Sequence, residues 1–304
     1  MKIRGIIPLV MLLCCVLSQA QNRVADFIRP SDSLNTIRRN SVLISEAALS
    51  SAAFIALDQI WYADYPRSSF HFKNDNAEWL QMDKAGHAFT SYHLSEAGTS
   101  LLRWSGVNKK QSAIYGTASG FAFLTIIEVF DGFSSQWGAS TGDITANAGG
   151  ALLYLSQELL WKEQRIITKF SFHTTPYASA RPEVLGSNLA EQVLKDYNGQ
   201  TYWLSANLHS FIKADFIPKW LNVAVGYGAE GMITGDDALV NTVFLPEHKR
   251  YRQFYLSFDA DLTKIETKSA ILRTLFRLVN TIKVPAPALE INGKGITKIH
   301  ALYF

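Results

Sequence analysis

The chain has 304 residues, of which 48% are apolar, with 29 basic and 26 acidic side chains and a formal net charge of +3. That near balance gives no reason to expect nucleic acid as a partner. A charged share of only 18% and an aromatic share of 12% fit a chain that buries much of its surface or turns it towards lipid.

Residues 1–20 read as an export signal. Lys2 and Arg4 supply a charged start, Ile6 to Leu17 an apolar stretch, and Ser18-Gln19-Ala20 the small residues a signal peptidase inspects. The stretch is too short to span a bilayer, which takes about 20 residues. A lipid-anchor signal competes, because Cys14 and Cys15 lie inside it, but Leu12-Leu13 directly precede Cys14 where small residues are usual. Cleavage after Ala20 leaves no thiol, which excludes disulfides and Cys-ligated metals. It also leaves 27 basic against 26 acidic side chains, a charge of +1.

Residues 21–40 form a polar lead-in containing Pro30-Ser31-Asp32-Ser33 and Arg38-Arg39. From 41 to 165 the apolar period is helical, and four segments are predicted near 41–62, 83–104, 109–130 and 143–165. Ala113, Gly116, Thr117 and Gly120 make a small-residue stripe suited to close helix approach. Gly149-Gly150 is assigned the same use, since glycine inside a helix costs about 1 kcal/mol relative to Ala. Gln111 to Ile127 is uncharged but only just reaches the length of a membrane span, so a four-helix bundle in the periplasm or against a membrane is the expectation.

From 166 to 304 the period changes to two. Six strands are predicted, near 166–177, 200–212, 218–232, 249–264, 288–292 and 294–304, with one amphipathic helix at 267–283. Along 251–262, Phe254, Leu256 and Phe258 share one face and Gln253, Tyr255, Ser257 and Asp259 the other, which reads as a half-buried strand. Asn198-Gly199 and Asn292-Gly293 are type I′ hairpin signals. The fold class is therefore α+β: a four-helix bundle-like module followed by an antiparallel β-rich module. The terminal aromatic strand ending in Phe304 resembles the C-terminal signal of outer-membrane barrels, but six strands fall short of the about eight at which bacterial barrels begin.

Chemistry-bearing residues gather at helix ends. Asp83, Lys84 and His87 open the second helix; Glu128 and Asp131-Gly132 close the third; Asp143 and Asn147 open the fourth; Asp58 ends the first. In an up-down-up-down bundle these termini share one end, whereas Arg103, Trp104, Lys109 and Lys110 at the other read as a solvated turn. Each has an ordinary explanation as well. Asp83 suits an N-cap, Ser140 to Asp143 a capping box, and Asp131-Gly132 a turn. Glu128 resists, because a carboxylate at a helix C-terminus opposes the macrodipole and needs a partner, for which Lys84 and His87 are the candidates. Three readings stay open: a buried polar network including Asp58, Lys84 and Asn147; acid–base catalysis by His87, Glu128, Asp83, Asp131 and Asp143; and a divalent cation held by His87, Glu128 and Asp131. No cofactor is identified from the residues themselves.

The ordered set DKAGH at 83–87, EVFDGF at 128–133 and GDITANAGG at 142–150 resembles the YfiM-like predicted periplasmic lipoproteins, a bacterial domain of unknown function. The resemblance covers about 83–155 and implies roles for Asp83, Lys84, His87, Glu128, Asp131, Gly132, Asp143, Asn147 and Gly150. It is more distantly similar to VanZ-like membrane proteins, and neither family implies an activity. The expectation is an exported protein of a Gram-negative envelope, in the outer membrane or periplasm. Its partners are membrane or envelope components and its role structural or interactive. The alternative is a hydrolase or transferase acting on envelope lipid or cell wall.

Overall fold

The computed structural model describes residues 24–235 and 249–304, apart from Ala25 and Asp64; the export signal lies outside the described residues. Four long helices come first: α1 (Thr36–Leu57), α2 (Met82–Trp104), α3 (Lys109–Gly132) and α4 (Thr141–Leu160). Six strands follow, β1 (Ile166–Phe172), β2 (Gln200–Asn207), β3 (Leu221–Glu230), β4 (Tyr251–Ala260), β5 (Ala286–Asn292) and β6 (Thr297–Tyr303), with helix α5 (Ala270–Val279) before β5. The architecture is α+β, with one antiparallel sheet in the order β1-β2-β3-β4-β5-β6.

Helix starts follow the side chains available. Asn35, Asn108 and Ser140 each accept a backbone N–H from the first turn of α1, α3 and α4. Helix α2 differs. Trp79, Leu80 and Gln81 before it all have left-handed backbones (φ 47, 51 and 65°), and no side chain caps the helix. Asp83 is therefore not the N-cap but a residue of the first turn.

Glycine sets the spacing of α2, α3 and α4. A Cβ on Gly116 would overlap the backbone of Thr99, and one on Gly150 the carbonyl oxygen of Ala88. Gly120 likewise faces the Ser95 backbone. Gly149 departs from its assigned use: nothing lies within 4 Å of where its Cβ would be. Helix α1 is a looser member, burying only Val42 and reaching α3 through Phe54 stacked on Phe123, with ring centroids 4.9 Å apart. Both α1 and α3 are long and apolar enough to cross a membrane, but α3 is packed into the bundle whereas α1 is almost wholly exposed.

The sheet turns an apolar face outward. Pairing in register places Leu204, Val225, Leu256 and Leu289 in one row across β2 to β5, with Ile299 next on β6. Leu204, Val225, Phe254, Leu256, Phe258, Ile291 and Ile299 are each more than half exposed. The opposite face is buried and combines polar groups with an aromatic cluster of Trp203, Tyr255 and Tyr303. Lys169 and Asp259, both with fully buried side chains, pair at 2.8 Å. Asp259 also accepts the Ser205 hydroxyl at 2.6 Å and the Val284 N–H at 3.0 Å. Asn222 donates to Ser205, Asn207 to Asn222, and His300 meets Glu290 at 2.8 Å. The half-buried reading of β4 holds, and the buried face is the one with Gln253, Tyr255, Ser257 and Asp259, which alternation alone does not single out.

The sheet curls around this polar filling. The Thr201 and Tyr303 hydroxyls, on β2 and β6, lie 3.1 Å apart, and β1 exchanges backbone bonds with Thr281 and Lys283. Strands β1 and β6 do not pair with each other, so the sheet stays open. Two hairpin signals take other forms. Asn198 bonds Met232 through its side chain, far from any two-residue turn. Asn292 accepts the N–H groups of Lys294 and Ile296, and the left-handed residue of that loop is Gly295.

The bundle packs on β1 and β2. Phe89 of α2 meets Phe170 and Tyr202, His93 meets the Thr168 carbonyl at 2.8 Å, and Met82 packs with Ala229 and Met232. Gly150→Ala will lower stability by roughly 1–3 kcal/mol through overpacking. Gly149→Ala, into open space, will raise it by about 0.4–1 kcal/mol. Denaturant unfolding of the two variants checks both signs.

Candidate functional site

The end of the bundle that holds the α2 and α4 starts and the α3 end gathers most of the singled-out residues. Two loops complete it. Residues 66–77 run beside 133–140, with Lys73 donating to the Ala139 carbonyl and Ala139 to that of His71. This pairing carries Asp75 to Ser140, whose hydroxyl donates to it.

Lys84 lies at the centre. Its ammonium is 2.6 Å from Asp75, 2.8 Å from Asp83 and 3.1 Å from Asp143, with all four side chains largely buried. Burial alone would lower its pKa, but the bonds to Asp75 and Asp83 outweigh that and hold the ammonium above its ordinary range. Burial keeps Asp83 above the usual carboxylate range despite the Lys84 contact.

Glu128 answers its own puzzle. The Ser140 hydroxyl accepts the Asp143 N–H at 3.1 Å, as in a capping box, but the Ser140 N–H donates to Glu128 Oε2 at 3.0 Å. The carboxylate that opposes the α3 dipole thus faces the start of α4, where a negative charge is favoured. It also replaces Asp143 in the reciprocal half of the box and leaves that side chain free to turn inward. Glu128 is 2% exposed, and burial pushes its carboxyl up to about 8, against the Ser140 N–H and with the Asp143 charge adding to the rise.

His87 joins α2 to both neighbours. Its Nδ1 lies 3.0 Å from Asn147 Oδ1. An amide oxygen only accepts, so Nδ1 carries the proton and Nε2 presents a lone pair. Nε2 is 3.8 Å from Glu128 Oε1 and 3.9 Å from Asp143 Oδ1, beyond hydrogen-bond reach of either. Burial raises Asp143 to about 6 and does the same to Asp131.

Asp131 and Asp58 part from the set in different ways. Asp131 sits in the last turn of α3 rather than in a free turn and accepts the Tyr62 hydroxyl at 2.7 Å, tying the residues after α1 to the site. Gly132 lies where a Cβ would overlap the Phe70 ring. Asp58 does not converge. It pairs with Arg67, both about half exposed, at the start of a π-helical turn (Asp58–Tyr62) whose buried member is Tyr62 instead.

Asp75 and Tyr62 were missed by sequence reasoning. Asp75 stands in an Asn-rich loop with no periodicity to orient it, and Tyr62 in an aromatic stretch that reads as packing. The far end of the bundle is also no plain solvated turn. Arg103 pairs with Glu158, Arg38 stacks over Trp104 at 4.5 Å, and His93 is 3.4 Å from Glu96.

Fold and site define an α+β protein whose helical part closes one end with five carboxyl groups around one ammonium and one imidazole. Residues 69–157, less than a third of the chain, match the model of a family described as predicted periplasmic lipoprotein (DUF2279). The match spans the quoted DKAGH, EVFDGF and GDITANAGG segments, begins early enough to include Asp75, and supports an exported, periplasmic protein. No curated protein and no solved structure matches the chain.

Lys84→Met leaves three buried carboxylates without their cation and will destabilise by roughly 3–5 kcal/mol. Arg67→Ala, at the exposed pair with Asp58, will cost under about 1 kcal/mol. Parallel urea titrations compare them.

Proposed function

We propose that this protein is an envelope component that seats itself in the outer membrane by the apolar outer face of its sheet, with a structural or interaction role at that membrane. One observation carries the reading: Leu204, Val225, Phe254, Leu256, Phe258, Ile291 and Ile299 stand exposed on the outward face, while the inward face holds buried charged and amide groups beside Trp203, Tyr255 and Tyr303. An apolar outward face is what a membrane barrel turns to lipid. In water the same arrangement leaves an apolar area far beyond the patch a soluble surface usually shows. Two helices also expose apolar side chains. Ile37, Ile44 and Leu49 of α1 and Leu275 and Leu278 of α5 are exposed. Arg273 and Arg277 on α5 suit anionic headgroups beside that apolar side.

A second reading rests on Glu128. A carboxyl that keeps its proton near neutrality beside a part-exposed imidazole suits general acid–base hydrolysis or transfer on envelope lipid or cell wall. It predicts turnover that His87→Gln and Glu128→Gln each abolish while the fold survives.

Membrane seating is tested by cell fractionation and by flotation of the purified chain with phospholipid vesicles. The wild-type chain will sediment with the outer membrane and float with vesicles. Phe254→Arg and Leu256→Arg, each costing roughly 2–4 kcal/mol at mid-bilayer depth, will shift it to the soluble fraction. Recovery of the wild-type chain only in the soluble periplasm would contradict the reading.

A further inference from the structure

The polar end of the bundle contains two places where carboxylates converge, and they differ in what fills them. Asp75, Asp83 and Asp143 converge on the Lys84 ammonium, so that place already holds its cation. His87, Glu128 and Asp143 converge on nothing. One ligand atom from each lies within 4.8 Å of the others, and no side-chain cation stands between them.

Two of the three are fixed by a bond that leaves the inward atom bare, and Asp143 Oδ1 has only the Lys84 ammonium beside it. Asn147 takes the His87 Nδ1–H and leaves Nε2 with a lone pair. The Ser140 N–H holds Glu128 by Oε2 and leaves Oε1 facing Nε2. Asp143 is 6% exposed, and its Oδ1 has no hydrogen-bond partner among the described residues, although the Lys84 ammonium lies 3.1 Å away. Buried orphan groups are costly and call for a missing partner.

We propose that His87 Nε2, Glu128 Oε1 and Asp143 Oδ1 are the protein ligands of a divalent transition-metal ion such as Zn²⁺, with open positions towards the exposed edge of His87. Separations of 3.8 and 3.9 Å suit the size of an ion better than a hydrogen bond. An ion about 2.0–2.2 Å from each ligand holds ligand atoms about 3.4–3.6 Å apart, so the two His87 separations close by a few tenths of an ångström, and the carboxylate atoms lie within 4.8 Å of each other. The imidazole favours a transition metal over Mg²⁺ or Ca²⁺, which prefer oxygen alone. Charge agrees: five carboxyl groups share this end with one lysine, which pairs with Asp75, Asp83 and Asp143, and an ion would displace the proton that Glu128 otherwise holds. The Asn147 contact to His87 is the outer bond that orients a metal-bound imidazole. Asp131, a ligand candidate from the sequence, is instead held by Tyr62, and Asp143 stands in its place. This assignment is independent of membrane seating.

The test is titration of the chelator-stripped full chain with Co²⁺, read by visible absorption, and with Zn²⁺, read by calorimetry. One equivalent of Co²⁺ will saturate and give the intense bands of a four- or five-coordinate nitrogen and oxygen site. His87→Gln and Glu128→Gln will each abolish saturation. Asn147→Ala, which removes only the orienting bond, will weaken Zn²⁺ affinity by roughly 10–100-fold. Arg67→Ala, remote from the ligands, will leave it unchanged. A wild-type chain that leaves Co²⁺ with its weak six-coordinate aqueous spectrum overturns the assignment, whether or not the variants fold. So does tight binding that survives both ligand substitutions.

Discussion

The ion pair between Lys169 and Asp259 sets the constraint on which the rest depends. Both side chains are fully buried inside the curl of the sheet. A charge taken out of water costs several kcal/mol unless its partners are complete, and here they are. Lys169 also reaches the Ala260 carbonyl, and Asp259 collects a hydroxyl and a backbone N–H. Lys283 closes the same space by donating to the Phe258 and Val284 carbonyls. The inner face shares its space between this network and the aromatic cluster of Trp203, Tyr255 and Tyr303, while Leu, Val, Phe and Ile side chains line the outer face.

The helical end obeys the same constraint with a different result. Lys84 satisfies one group of carboxylates, and Glu128 finds the start of α4. Glycine makes this possible, since Gly150 brings α4 onto α2 at Ala88, one residue from His87. A larger residue there would separate the imidazole from Asn147. Close packing and site chemistry are therefore linked through backbone spacing. At this end His87 Nε2 and Glu128 Oε1 stay beyond hydrogen-bond reach of each other, and Asp143 Oδ1 has no hydrogen bond among the described residues.

Much of this was legible in the sequence. Helical period and capping residues located α2, α3 and α4 within a few residues, and chain order through alternate helix ends brought His87, Glu128, Asp143 and Asn147 together. Glu128 signalled itself through an unfavourable place on the macrodipole. What stayed hidden depended on tertiary context. Asp75 arrives by loop pairing that leaves no periodic mark, and Asp58 departs because α1 passes into a π-helical turn that turns Tyr62 inward instead. Period two showed which residues of β4 share a face, but only the assembled sheet shows that Tyr255 and Asp259 are inside while Phe254 and Phe258 are not.

The central claim is that the outer face of the sheet meets lipid, and accessibility along β4 tests it most directly. Single spin labels at positions 253 to 258, in a chain freed of Cys14 and Cys15, report collision with oxygen, which concentrates in lipid, and with a water-soluble nickel chelate. The account predicts high oxygen and low nickel collision rates at 254, 256 and 258 in membranes, with both low at 253, 255 and 257. Nickel collisions that dominate at 254, 256 and 258 would contradict it, because the apolar face would then stand in water.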